Sequence, residues 1–304
     1  VRDAFCSSLV ARAADPDFVF LTGDLGYKAL EPLCAALGER FINAGIAEQN
    51  MVSVAAGLSR AGMKAWAYSI APFIYARPFE QIRNDVCHHR LPVRLVGNGG
   101  GYAYGVMGRT HHAVEDYGAL LCLPHLRVFV PAFDDDVAAI VAILDRSSEP
   151  AYLRLGRSEA PDKWSVPAYA AWRRLMAGQR STALVVGPLV GTLLAPLLAL
   201  PDEQRPALWS LCELPVDSFP AEFLADVERS RHLVVIEEHV ARGGVGELVA
   251  RQLLLLGCAP ARFTHCCAQG YRSGRYGSQA FHRRESGLDP TTLVEALTAA
   301  EHLA

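Results

Sequence analysis

No two of the eight cysteines form a Cys-x-x-Cys pair; Cys6, Cys34, Cys87, Cys122, Cys212, Cys258, Cys266 and Cys267 are scattered, mostly through apolar runs. Neither a disulfide framework nor a zinc site follows from that spacing, and reduced thiols in a cytoplasmic protein are the plain expectation, with no metal ligands assigned to the chain. Positive charge is not in excess: 29 Lys and Arg stand against 32 Asp and Glu. There is thus no bulk electrostatic drive toward nucleic acid. No apolar run approaches the ~18 residues of a membrane span. The first residues, Val-Arg-Asp-Ala, lack the basic-then-apolar order of a secretory leader, so none is expected. No repeat with a period of about 20–50 residues is visible.

What the chain does have is 51% hydrophobic residues and 25 glycines over 304 positions, a composition suited to an α/β protein of two domains with buried parallel strands. Residues 2–14 read as an amphipathic helix and 18–21 as a short apolar strand. A helix over 48–61, a strand over 64–69, a helix over 79–89 and a strand over 92–97 follow. Residues 127–130 and 151–155 read as further strands around a helix at 134–144. Composition then shifts over 158–180, with Pro161 and Pro167. A second α/β pattern has strands at 183–186, 207–211 and 233–237, helices at 193–200 and 245–256, and a tail helix announced by Asp289, Pro290 and Thr291. The expected fold is α/β with two doubly wound domains: a mostly parallel sheet over residues 1–165, a linker at 166–180, and a smaller α/β domain over 181–304.

Residues 43–58, Asn-Ala-Gly-Ile-Ala-Glu-Gln-Asn-Met-Val-Ser-Val-Ala-Ala-Gly-Leu, place one carboxylate, Glu48, at the start of a helix of small and apolar residues. A lone acid so placed is partly desolvated; its pKa is expected to rise, and it then donates a proton near neutral pH. The plainer reading is a first-turn Glu favoured by the helix dipole. The segment closely resembles the Gly-Ile-Ala-Glu-Gln signature of thiamine-diphosphate enzymes of the transketolase and deoxyxylulose-phosphate synthase group. The resemblance implies that Glu48 activates the cofactor's aminopyrimidine. Tyr68–Gln81 is similar to the family segment that wraps that ring, which makes Phe73 the candidate stacking residue, Tyr75 the second, and Ile70 an apolar contact where many transketolases carry Phe. As bare residues, these side chains read equally as core. The glycine run 99–101, followed by Gly108-Arg109-Thr110-His111-His112, resembles the family loop Gly-x-Thr-His-Gln. His111 then matches the histidine over the reacting carbon, and His112 stands where Gln is usual in the substrate site. Arg157 and, less securely, Arg2 match arginines that bind the substrate's anionic end. Asp24 matches an acid near the cofactor, or is an ordinary turn aspartate.

The pattern also departs from the family. Met107 replaces the acid four positions before the histidine, and Gly99 replaces a phosphate-contacting histidine, so ordinary pentose-phosphate substrates are in doubt. Glu237-Glu238-His239 and Gly243-Gly244-Val245-Gly246 resemble the family's C-terminal domain and read as a strand–loop–helix packing motif. Residues 269–287, rich in Arg, Gly and Ser, read as a solvated loop. The Gly-Asp-Gly…Asn pattern that holds the diphosphate through Mg²⁺ is missing. The resemblance therefore implies the C-terminal subunit of a split transketolase. Residues 1–165 would be its pyrimidine-binding domain. A partner subunit would bring the diphosphate and Mg²⁺ ligands in an α₂β₂ assembly, acting on an anionic small molecule by transfer of a two-carbon ketol unit. Alternatives are the β subunit of a 2-oxoacid dehydrogenase, a decarboxylating synthase of the deoxyxylulose-phosphate kind, and a non-catalytic assembly partner.

Overall fold

Every side chain of Phe18–Thr22 is buried, as an unbroken apolar strand covered on both faces requires. The computed structural model describes residues 2–26, 29–162 and 164–299. In chain order the first half runs α1 (Arg2–Val10), β1 (Phe18–Thr22), α2 (Glu31–Leu37), β2 (Phe41–Asn43), α3 (Glu48–Arg60), β3 (Lys64–Ile70), α4 (Ala71–Tyr75), α5 (Phe79–Gln81), β4 (Arg94–Asn98), α6 (Asp116–Leu120), β5 (Arg127–Phe129), α7 (Asp136–Arg146) and β6 (Ala151–Leu155). The second half runs β7 (Trp172–Met176), β8 (Thr182–Val186), α8 (Leu189–Leu198), β9 (Ala207–Leu211), β10 (Glu213–Leu214), α9 (Ala221–Ser230), β11 (His232–Ile236), α10 (Val245–Leu255), β12 (Arg262–Cys266), α11 (Gln279–Glu285) and α12 (Pro290–Thr298).

Two sheets result. The first has the order β10-β5-β6-β4-β3-β1-β2 and is parallel except for β10. The second, β12-β11-β8-β9-β7, is parallel except for β7. Chain direction reverses its march across the first sheet at β1, which has β2 on one side and β3 on the other. Such a switch point opens a crevice at the carboxyl ends of the strands. The helix α3 starts beside it, with Glu48 near Ser69 at the end of β3, and buries Met51, Val52, Ala55, Ala56 and Ser59 at a helical spacing.

Three expectations are corrected. The stretch expected as a linker contains β7, which pairs antiparallel with β9. Its Arg173 looks solvated in sequence, yet it is buried, its two terminal nitrogens on the two oxygens of Asp136 at 2.6 and 2.7 Å. That forked pair satisfies both charges and ties β7 to α7 of the first half. Leu214 and Glu213 likewise return to the first sheet as its antiparallel edge, so the halves interlock. The stretch 269–287 is not all solvated loop: α11 lies in it, with His282 and Arg283 buried. The helix expected over 79–89 is a short α5 continued by a π-helical stretch to Cys87. The tail helix starts as expected, with the Asp289 side chain accepting from Thr292 N at 3.2 Å.

Candidate functional site

The positions singled out in the sequence lie where four parallel strands end. The loop after β1 carries Asp24, the end of β3 is Ile70, β4 ends at Asn98, and Arg157 follows β6. The turn before α3 needs Gly45, whose φ of 69° is a left-handed conformation that side chains resist. Asn43 braces this turn, accepting from Gly45 N at 2.9 Å while its Nδ2 donates to exposed Asp24 at 3.3 Å. Asp24 thus keeps both of its readings.

Glu48 emerges from that turn 5% exposed. It is not the lone acid expected from the sequence. Arg77 Nη1 donates to both carboxylate oxygens at 2.9 Å, and Ser69 Oγ approaches Oε1 at 3.5 Å. The same guanidinium lies over the Phe73 ring, 3.8 Å from its centroid. A flat cation on an aromatic face is favourable, more so when water is excluded. Phe73 meets the His111 ring at 5.2 Å, edge to face, and His111 meets Tyr104 at 5.8 Å. His111 Nδ1 is held by Thr110 Oγ1 at 2.9 Å, which leaves the other ring nitrogen for chemistry. Glu48, Arg77, Phe73, His111 and Tyr104 therefore form one continuous surface. Sequence reasoning missed Arg77; its four-residue spacing from Phe73 was the available signal.

Tyr75 and His112 make other contacts. Phe73 and Tyr75 are two residues apart on α4, so they point to different sides. Tyr75 packs on the core beneath the first sheet, and its hydroxyl donates to Glu115 at 3.4 Å. His112 is 2% exposed, with Nε2 on Gly105 O at 2.8 Å and Nδ1 on Tyr271 Oη at 3.0 Å. Burial pushes its pKa down despite the Gly105 carbonyl. Both nitrogens are engaged by the protein, and His112 ties the loop to Tyr271 of the second half. Ile70 is half-buried at the junction of β3 and α4.

Arg2 and Arg157, far apart in sequence, line one cleft of about 570 Å³ with Asp3, Asn98, Gly99, Tyr104, Asp134 and Ser158. Asp134 is occupied by the Ser158 hydroxyl. Behind the cleft sits a fully buried pair: Asp116 Oδ2 accepts from Arg154 Nε at 2.8 Å and from Tyr152 Oη at 2.9 Å. Burial alone would lower the Arg154 pKa, but Asp116 together with Tyr117 and Tyr152 outweighs it and raises it above its ordinary value. Arg154 Nη2 also donates to Ala113 O at 2.7 Å and Glu238 O at 3.0 Å, fixing the histidine loop against the second half. Glu238 accepts from Tyr102 N at 2.8 Å and from Arg283 Nη2 at 2.8 Å. Glu237 accepts from Val245 N and Gly246 N, both at 2.9 Å, at the start of α10. The Glu237-Glu238 motif is therefore a clasp between loop, strand and helix. Met107 is 54% exposed. Among the described residues no cluster of three His, Cys, Asp or Glu side chains is arranged to hold a metal ion. Nor is any helix there long and apolar enough to cross a membrane.

Residues 8–163 match the model of the transketolase pyrimidine-binding domain. The chain is 30% identical over 260 residues to the B subunit of apulose-4-phosphate transketolase from Phocaeicola vulgatus, with 83% of each chain covered. It is 30% identical over 319 residues to 1-deoxy-D-xylulose-5-phosphate synthase of Thermomicrobium roseum, of which it spans 48%. Among solved structures, a split-gene transketolase described as an inactive β4 tetramer superimposes with a TM-score of 0.80 at 29% identity, over 97% of this chain and 96% of that one.

Proposed function

The chain belongs to the transketolase family through its pyrimidine-binding domain, and we propose that it is the C-terminal-type subunit of a two-chain transketolase that uses thiamine diphosphate. The observation that carries this reading is the convergence of Glu48, Phe73 and His111 at the carboxyl ends of the first sheet. The donor set fits the cofactor's aminopyrimidine. A flat, nitrogen-bearing group, the Arg77 guanidinium, already rests on Phe73 with its N–H groups on Glu48. A pyrimidine ring makes the same two kinds of contact, stacking and a hydrogen bond from carboxyl to ring nitrogen.

Glu48, Phe73 and Ile70 would hold the ring, with Asp24 near it. When bound, thiamine diphosphate supplies the carbon acid that carries a two-carbon ketol unit from donor to acceptor. This chain's own part is proton handling and orientation. Glu48 would hydrogen-bond the ring nitrogen and exchange a proton with it, in the place that Arg77 fills on its carboxylate here. His111, fixed through Nδ1 by Thr110, gives and takes protons at the substrate's carbonyl and hydroxyl oxygens. Arg157, with Arg2, draws the anionic end of the substrate into the cleft. Phe73 and the wall of α4 exclude water from Glu48.

On this proposal a partner subunit brings the Mg²⁺ and diphosphate ligands, a reading supported by the relatives named as a B subunit and as a split-gene transketolase. Ile46, beside Glu48, is 82% exposed and Val106, beside the histidine loop, is 72% exposed; apolar residues so placed suit a face covered by another chain. A cytoplasmic α₂β₂ assembly is the corresponding proposal. Calorimetry with Mg²⁺ and thiamine diphosphate tests it. Little binding is expected for this chain alone, and binding should emerge when the partner is added. Tight binding by the isolated chain would contradict the shared site.

A further inference from the structure

We propose that Arg77 is a built-in competitor for the aminopyrimidine site: its guanidinium fills the ring's place on Glu48 and Phe73, and a ring enters only when Arg77 swings out to solvent. The proposal goes beyond the assignment of Glu48 and Phe73 to the ring and rests on that reading.

Competition follows from how little of Glu48 is open. The side chain is buried, and Arg77 Nη1 lies 2.9 Å from each of its two oxygens. Ser69 Oγ, from the end of β3, stands 3.5 Å from Oε1. A second planar donor therefore has no open approach to the carboxylate while the guanidinium is there. The same guanidinium covers a face of Phe73, 3.8 Å from the ring centroid, and the His111 ring meets Phe73 at 5.2 Å. One side chain thus holds both contacts that a flat, nitrogen-bearing ring would need.

Arg77 is also held loosely enough to leave. Two other arginines show what a permanent fixture looks like here. Arg154 and Arg173 each have side chains only 4% exposed. Arg154 reaches Asp116 and the carbonyls of Ala113 and Glu238, while Arg173 reaches both oxygens of Asp136 and the Pro167 carbonyl. The Arg77 side chain is 44% exposed, and Glu48 is its only hydrogen-bond acceptor among the described residues. It projects from the turn between α4 and α5. A guanidinium so exposed gains little from its ion pair over hydration in water, so it exchanges with solvent readily. The contact is strong enough to compete and too weak to be permanent.

The test follows a dimethyl-aminopyrimidine, the ring portion of the cofactor alone, binding to the full chain by ligand-observed NMR. The probe carries no diphosphate, so no partner subunit is needed. A guanidinium that holds the place about nine-tenths of the time weakens the ring about tenfold, so Arg77→Ala should bind the probe at least about tenfold more tightly than the wild type. Methylguanidinium, which returns the lost group as a free molecule, should displace the probe from Arg77→Ala. Arg77→Lys keeps the charge and loses the flat, stacking fork, so it should also bind the probe more tightly than the wild type, and it decides the question if the alanine variant does not fold. The proposal is overturned if neither variant binds the probe more tightly than the wild type, or if methylguanidinium does not displace it. Phe73→Ala separates this from the cofactor assignment. Equal binding by the wild type and Arg77→Ala that is lost with Phe73→Ala removes the competition and leaves the ring site standing. Binding that survives Phe73→Ala in both backgrounds would place the ring elsewhere and overturn the site itself.

Discussion

Exchanging Asp116 for Asn changes one atom and tests what holds the histidine loop in place. Asp116 is 0% exposed and faces Arg154, which is itself 3% exposed. Two hydrogen bonds converge on its Oδ2, from Arg154 Nε at 2.8 Å and Tyr152 Oη at 2.9 Å. Asparagine keeps a neutral amide oxygen, so what goes is the charge that both bonds rely on; at ~1.5–3 kcal/mol for each bond to a charged group, the loss is at most roughly 3–6 kcal/mol. That agrees with the ~3–5 kcal/mol found when one member of a buried ion pair is removed and the other charge is stranded. A stranded Arg154 keeps only the carbonyls of Ala113 and Glu238. At about 2–4 °C per kcal/mol, Asp116→Asn should lower the melting temperature by roughly 6–20 °C. The double variant Asp116→Leu/Arg154→Met removes both charges, and its loss should fall short of the summed single losses by at least about 1.5 kcal/mol. Thermal unfolding followed by circular dichroism measures all of these proteins. A single variant melting within about 2 °C of the wild type would show that the pair is not what anchors the loop, and the reasoning from two buried bonds would be wrong.

In the complex with the partner subunit, Glu48→Gln should leave the fold intact and lower turnover by at least ~10²-fold, the scale of a lost acid–base group. Unchanged turnover with cofactor bound would return Glu48 to a structural role and favour the assembly-only reading. A second expectation concerns acid. Burial pushes the Glu237 carboxyl up, but His265, His239, the Gly246 amide and Tyr117 outweigh it and hold its pKa below the ordinary 4.5. A depressed folded pKa contributes stability that is present above the unfolded value and lost as pH falls through the folded one. Urea unfolding should therefore show stability dropping below pH 4.5, and Glu237→Gln should be weaker at pH 7 with a flatter acid limb. An equally steep limb in the variant would assign the acid sensitivity to other carboxylates.

Much of the fold was legible because its signals are local. The apolar runs at 18–22, 151–155 and 232–236 are strands whose every residue is buried, and the run itself says so. The periodic small and apolar residues after Glu48 are a helix because one face must bury Met51, Val52 and Ala55. What escaped was polar sequence turned inward. Trp172–Met176 contains two arginines and reads as linker, until Asp136 is found to neutralise Arg173 from another element. The helix at Gln279–Glu285 hides in an arginine-rich stretch because Arg283 reaches Glu238. Burial of such residues depends on partners that no local window contains.

The sequence by itself determined the alternation of strands and helices, the family, and the identities of Glu48 and His111 as candidate acid and proton carrier. Each of these rests on residues adjacent in the chain. Tertiary structure alone decided which of the candidates meet. It brought Arg2 and Arg157 to one cleft, set Arg77 on Phe73 and Glu48, and laid Tyr104 across Gly99. It also turned His112 inward, one residue from His111. The physical reason is that strand order and register set distances between residues far apart in the chain. The direction of a side chain in a short loop, in turn, is set by which buried donors and acceptors are waiting for it.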